Sequence, residues 1–147
     1  MKTAKILTIL SLLFLTFSLY AGTNPYKDDK SDVEQTISNY VKSIDSRNAD
    51  ALSKSVLNDG SIITLNNITN KVDQLSGRQL VDMVKNGQKG GWVRNVSVNS
   101  VDVDGNTAMA KVDISDSRLK ESGFLSLIKE NGNWKIAGQV TTLGLSK

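Results

Sequence analysis

Tyr40, Trp92, Ser126 and Trp134 are the side chains whose type and spacing could bring them to a small ligand. Tyr40 falls on an apolar stripe with Val33, Ile37, Val41 and Ile44, steps that place one face of a helix together. From an enclosed interior its hydroxyl could meet a ligand or act as a weak acid, or it could stay in the core bonded to backbone. Trp134 follows the tight turn Asn131-Gly132 and alternates with Ile136 and Val140. It reads either as an aromatic pocket wall or, the preferred reading, as a core anchor that buries ~200 Å² of ring. Ser126 and Asp113 are the polar residues spaced to look into or across a sheet. Asp113 keeps phase with Met109 and Lys111, opposite Ala108, Ala110 and Val112, so it is expected in solvent and out of catalysis.

Trp92 closes the most distinctive loop, KNGQKGGWVR from Lys85 to Arg94. Its three glycines permit backbone conformations barred to other residues, and Lys85, Lys89 and Arg94 could gather an anion beside a flat ligand stacked on the indole. The plainer alternative is a solvated, flexible connection. No Gly-Lys-Ser/Thr follows a strand, so it is not a phosphate-binding P-loop. Asp102-x-Asp104-Gly105-Asn106 lacks the later ligands of a calcium loop and sits between alternating strands, where it reads as a hairpin turn.

The chain has no histidine and no cysteine. A Ser-His-Asp or Cys-His arrangement is therefore impossible, and ordinary zinc or copper ligation has neither imidazole nor thiolate to use. No metal and no cofactor are expected. Acid–base work would fall to Asp, Glu, Lys or Tyr with shifted pKa values.

Residues Met1 to Lys5 carry Lys2 and Lys5, and the run from Ile6 to Leu19 is almost purely apolar. Ala21 then precedes polar Gly22-Thr23-Asn24-Pro25. This is the pattern of a secretory signal peptide at residues 1–21, and the run is short of the ~20 apolar residues that a membrane span needs. An exported protein is expected, periplasmic or extracellular, with no membrane partner after cleavage. Without a cysteine at the cleavage point, a lipid anchor of the bacterial type cannot be attached. Removing Lys2 and Lys5 lowers the net charge from +3 to +1, which leaves no electrostatic footprint for nucleic acid.

Residues 22–30 read as a flexible lead-in, and 31–147 as a single domain. Ser31 and Glu34 are spaced as a capping box, opening a helix that should stop near Arg47-Asn48. A second helix fits Ala49–Leu57 with Asn48 as its cap, and Asn58-Asp59-Gly60 reads as a turn. Ser61–Leu65 is a strand, Lys71–Leu75 a short second one, and Gly77–Asn86 a third helix. From Trp92 onward the period is two. Asn99-Ser100 breaks phase as a bulge would, and turns fall at Asp104-Gly105-Asn106 and Asn131-Gly132. Helices first and four long strands after give an α+β domain, with helices packed on one face of a curved sheet.

Leu125–Ile136 (LSLIKENGNWKI), Val101–Val112 (VDVDGNTAMAKV) and the opening ISNYVKSID and NADALSKSVLNDGSII resemble the nuclear-transport-factor-two-like superfamily. Within it they are most similar to the "putative lumazine-binding" group, over nearly all of Asp32–Thr142. The resemblance implies an antiparallel sheet curved into a cone, about three N-terminal helices on its concave face, and a homodimer paired through the outer sheet face. Leu125, Leu127 and Ala137 are expected to face outward there. Active members often carry an interior Asp with His or Tyr, and often an aromatic-histidine pair where this chain has Leu57-Asn58-Asp59. The expected function is non-catalytic: binding of a small apolar or aromatic ligand, or contact with a partner. The alternative is a dehydratase- or isomerase-like enzyme using Asp and Tyr without His.

Overall fold

The computed structural model describes residues 29–147. The expected signal peptide at 1–21, and the lead-in as far as Asp28, lie outside the described residues. Helix α1 (Asp29–Asp45) buries Val33, Ile37, Tyr40, Val41 and Ile44, each apolar side chain contributing about 1.5–3 kcal/mol of transfer free energy. The helix already includes Asp29 and Lys30, so Ser31 lies within its first turn and caps nothing. Asp29 takes the favoured place of an acid at a helix start and is tied to Lys129 and Trp134. Asn48 caps α2 (Ala49–Ser55) as expected, its side chain accepting from the Ala51 N–H.

Strand β1 (Val56–Asn66) begins directly at the end of α2, and Asn58-Asp59-Gly60 belongs to it. These residues form a bulge rather than a turn: β1 pairs Val56 with Ile136, then Ser61 with Gly138. A Cβ at Gly60 would stand 3.0 Å from the Ala137 carbonyl oxygen, a tight contact with neighbouring backbone that glycine avoids. Strand β2 (Lys71–Ser76) leads into α3 (Gly77–Lys85), which opens on a full capping box of Ser76 and Gln79. Strands β3 (Asn95–Asp104), β4 (Thr107–Ser115), β5 (Leu119–Glu130) and β6 (Asn133–Leu145) complete one six-stranded sheet.

The strand order is β2-β1-β6-β5-β4-β3, antiparallel throughout except where β1 runs parallel to β6. The three helices pack on the inner face, α1 against β3 and β6 and α3 against β1. Ala108, Ala110, Val112 and Ile114 face inward along β4, and the bulge expected at Asn99-Ser100 is present.

The outward set on β5 differs from expectation. Leu125 and Leu127 are buried at 0% and 1% exposure, opposite inward Ala110 and Ala108. Phe124, Ile128 and Met109 face out instead. Because side chains alternate with period two, register alone decides which set is buried. On β6 a second bulge at Ala137 flips the phase: Trp134 and Ile136 point inward before it, Gln139 and Thr141 after it, and Val140 is 61% exposed.

Candidate functional site

The β6 phase change carries two polar side chains into the interior, and a third polar residue on β5 meets them. Glu121 sits opposite inward Ile114 and is only 14% exposed. Its Oε1 accepts from Gln139 Nε2 at 2.7 Å, Thr141 Oγ1 at 2.6 Å and Thr64 Oγ1 at 3.3 Å. At Gly123 a Cβ would fall 2.2 Å from the Val140 carbonyl oxygen and 2.7 Å from the Thr141 Cα, so β5 and β6 lie too close there for a side chain. Tyr40, from α1, donates its hydroxyl hydrogen to Gln139 Oε1 at 3.0 Å. Burial, and then the nearby Glu121 carboxylate, push the Tyr40 phenol well above its ordinary pKa. The proton is therefore held on Tyr40 at any physiological pH.

Arg94 approaches Glu121 from the loop ahead of β3. Its Nε donates to Asp45 Oδ1 at 2.7 Å, and its backbone N–H donates to Asp45 Oδ2 at 2.9 Å. The Arg94 NH2 nitrogen also lies 2.7 Å from Asp45 Oδ1, yet it is buried without a properly directed hydrogen bond. That contact balances charge but not direction. NH1 stands 3.7 Å from Glu121 Oε2, beyond the ~3.2 Å reach of an N–H···O bond.

The glycine loop is exposed along most of its length but is tied down at Gly90 and Gly91. Gly91 N–H donates to the Asp45 carbonyl at 2.8 Å, and Arg47 NH2 donates to the Gly90 carbonyl at 3.2 Å. Gly90 has φ +93°, and a Cβ on it would fall 1.9 Å from the Ile44 carbonyl oxygen. Glycine is thus required for the loop to lie against the end of α1. Arg94 is turned inward to carboxylates, so it does not gather with Lys85 into an anion site.

Docked in this way, the loop forms one wall of a cleft of about 200 Å³ at an end of the sheet. Ile62, Leu75, Ile114, Leu119 and Leu143 supply apolar surface. Trp92, 43% exposed, stands among the lining residues with Lys89, and Arg94 and Glu121 also line it. Asp116 accepts from the Arg118 and Leu119 N–H groups, which hold its carboxyl below the usual range and fix the β4–β5 turn. A further space of about 20 Å³ involves Tyr40 and Gln139 and shares Ile62, Arg94, Ile114 and Glu121 with the cleft.

Of the four expected site residues only Trp92 lines the cleft; Tyr40 is buried and borders the small adjoining space, and the other two lie elsewhere. Trp134 is a core side chain, 5% exposed, bordering a polar groove with Asp32, Gln35 and Lys135. Ser126 pairs with exposed Met109 and lies on the outer sheet face. Asp113 is on the surface as expected. Bonds from Ser122, Asn99 and Lys120 hold its pKa down at about 2. Sequence reasoning missed Glu121, Gln139, Thr141 and Asp45. Period-two counting back from Leu127 and Leu125 through Gly123 was a signal for Glu121. Among the described residues, no group of three or more Asp or Glu could hold a metal ion.

A family model described as "putative lumazine-binding" matches residues 28–140. No curated protein matches the chain. Among solved structures, an NTF2-like protein of unknown function from Methylobacillus flagellatus is 21% identical. The match covers 80% of this chain and 94% of that one, with TM-score 0.66. An NTF-2 like protein of unknown function from Silicibacter pomeroyi is 16% identical over 79% and 94% of the two chains, with TM-score 0.64. A ketosteroid isomerase-like protein from Erwinia carotovora atroseptica is 12% identical over 80% and 97%, with TM-score 0.60. At these identities the likeness is one of fold.

Proposed function

The chain belongs to the putative lumazine-binding family, and from that premise we propose that it is an exported module holding a small, flat, largely apolar ligand in the cleft beside Trp92. The observation that carries this reading is the cleft itself, with Ile62, Leu75, Ile114, Leu119, Leu143 and Trp92 as apolar lining and charged groups, Arg94 and Glu121 among them, between these. An engineered apolar cavity of about 150 Å³ holds benzene, so about 200 Å³ suits one or two fused rings. Lumazine, a flat two-ring compound, is of that size.

Export rests on the pattern of residues 1–21. Among the described residues no helix is long and apolar enough to cross a membrane. Pairing of two copies through the outer sheet face rests on Phe124, Met109, Ile128 and Val140, which together expose an apolar surface. A non-catalytic role is supported by the commitments of the interior groups. Glu121 Oε1 is occupied by three donors, and the Tyr40 hydroxyl donates its hydrogen bond to Gln139.

The same carboxylate favours a second reading, an isomerase- or dehydratase-like enzyme with Glu121 as base. That reading requires exchange of a bound ligand's acidic C–H into D₂O, lost in Glu121→Gln.

The binding reading is tested by calorimetric titration of lumazine and of quinoxaline into wild type and Trp92→Ala. Aromatic stacking is worth about 1–3 kcal/mol, so the variant should bind about tenfold or more weakly. Absence of heat with both compounds, or equal affinity in the variant, removes the reading.

A further inference from the structure

Two groups in the cleft are not fully used by the fold. Among the described residues, Glu121 Oε1 takes every hydrogen bond that this carboxylate accepts, and Oε2 takes none. Arg94 is anchored to Asp45 through Nε, while NH1 donates to no described residue and stands 3.7 Å from Glu121 Oε2. The result is a fixed acceptor and a fixed donor side by side, too far apart to satisfy each other. Both are rigidly held. Glu121 is fastened by three donors, and Arg94 by a backbone and a side-chain bond to Asp45.

The charges around the cleft balance. Lys89, Arg94 and Arg118 face Asp73, Asp116 and Glu121 among the lining residues. A net-neutral lining disfavours an ion, which would lose its water without a surplus of opposite charge. A neutral ligand with its own donor beside its own acceptor would meet both groups at once.

We infer that the cleft selects a neutral heterocycle through a cyclic amide or imide edge, its ring N–H donating to Glu121 Oε2 and its adjacent C=O accepting from Arg94 NH1. This rests on the binding reading above and names the ligand class for that same site. The rings lie against Ile62, Leu119 and Trp92, and the amide edge supplies orientation. A ligand lacking the N–H would leave Glu121 Oε2 desolvated and unpaired, the costly outcome for a buried polar group.

The test uses ligands rather than mutations as its first variable, so it does not depend on a variant folding. Quinazoline-2,4-dione, its N1,N3-dimethyl derivative, quinoxaline and quinoxaline-2-carboxylate are titrated into the wild-type protein. The dione is expected to bind at least about tenfold more tightly than the dimethyl compound and than quinoxaline. Glu121→Gln, which retains an acceptor for its three donors but can lose the one facing Arg94, should erase the preference for the N–H. Equal affinity of dione, methylated dione and quinoxaline overturns the edge recognition and leaves the apolar cleft standing. Tightest binding of the carboxylate overturns it in favour of an anion site. No binding by any of the four removes the cleft reading together with this inference.

Discussion

Replacing Arg94 by Met removes the guanidinium from Asp45 while keeping an apolar stem of similar length. Asp45 is 9% exposed and would lose a charged hydrogen bond of 2.7 Å. Bonds of that kind contribute about 1.5–3 kcal/mol, and breaking a fully buried ion pair costs about 3–5 kcal/mol. Asp45 keeps its 2.9 Å bond from the backbone N–H at position 94, which the substitution preserves. The cost should therefore sit at the low end, about 3 kcal/mol. Urea unfolding reads this directly. With a slope of about 1.5–2 kcal/mol/M, the midpoint should fall by roughly 1.5–2 M. Adding Asp45→Asn removes the stranded charge while leaving an acceptor for the backbone N–H. The double variant should then be about 1–2 kcal/mol more stable than the sum of the singles implies. A loss below about 1 kcal/mol, or strict additivity, would show that this pair does not hold the loop.

Gly90→Ala forces a Cβ into the Ile44 carbonyl at a positive φ, so it should cost about 2 kcal/mol or more and weaken ligand binding by moving Trp92, read by urea unfolding and calorimetry. Tyr40→Phe leaves Gln139 Oε1 without its donor and should cost about 1–3 kcal/mol near pH 7. Because the folded-state pKa of Tyr40 is raised, its neutral form is favoured in the fold. The associated stability is intact below the ordinary tyrosine value of 10.0 and is lost as pH rises above it. Stability measured from pH 8 to 11 should therefore fall less steeply in the phenylalanine variant, and an identical slope would contradict the burial. Phe124→Asp puts charge on the outer sheet face, where the side chain is 49% exposed, and should convert a dimer to monomer by light scattering without lowering stability by more than about 0.5 kcal/mol. An unchanged mass would move the interface elsewhere.

Strands were legible where alternation ran unbroken, as from Ala108 to Ile114 on β4, because a half-buried strand writes its two faces into the sequence. The Asn48 cap was legible because its chemistry is local. Ser76 and Gln79 spell an equally local capping box that the sequence reading passed over. The site was less legible, for a physical reason. Gln139 and Thr141 reach the interior only because Ala137 bulges, and a bulge is set by pairing with a distant strand rather than by nearby residues. Leu125 and Leu127 were placed outward for the same cause, since their face is fixed by register with β4. Glu121 shares the phase of Leu125 and Leu127, and the error over their face hid it. Arg94 and Trp92 were visible as a cationic and aromatic pair. That Gly90 and Gly91 fold the loop onto α1, turning Arg94 toward Asp45, follows from tertiary contact alone.

The central claim is the location of the ligand, and chemical-shift mapping on isotope-labelled protein tests it most directly. Lumazine added to the protein should shift the Trp92 indole N–H, the Arg94 Nε–H and the amides of Leu75, Leu119 and Glu121, while the Trp134 indole and the amides of Met109 and Ser126 stay in place. Shifts confined to Trp134 and its polar groove, or to the outer face around Phe124, would contradict the account.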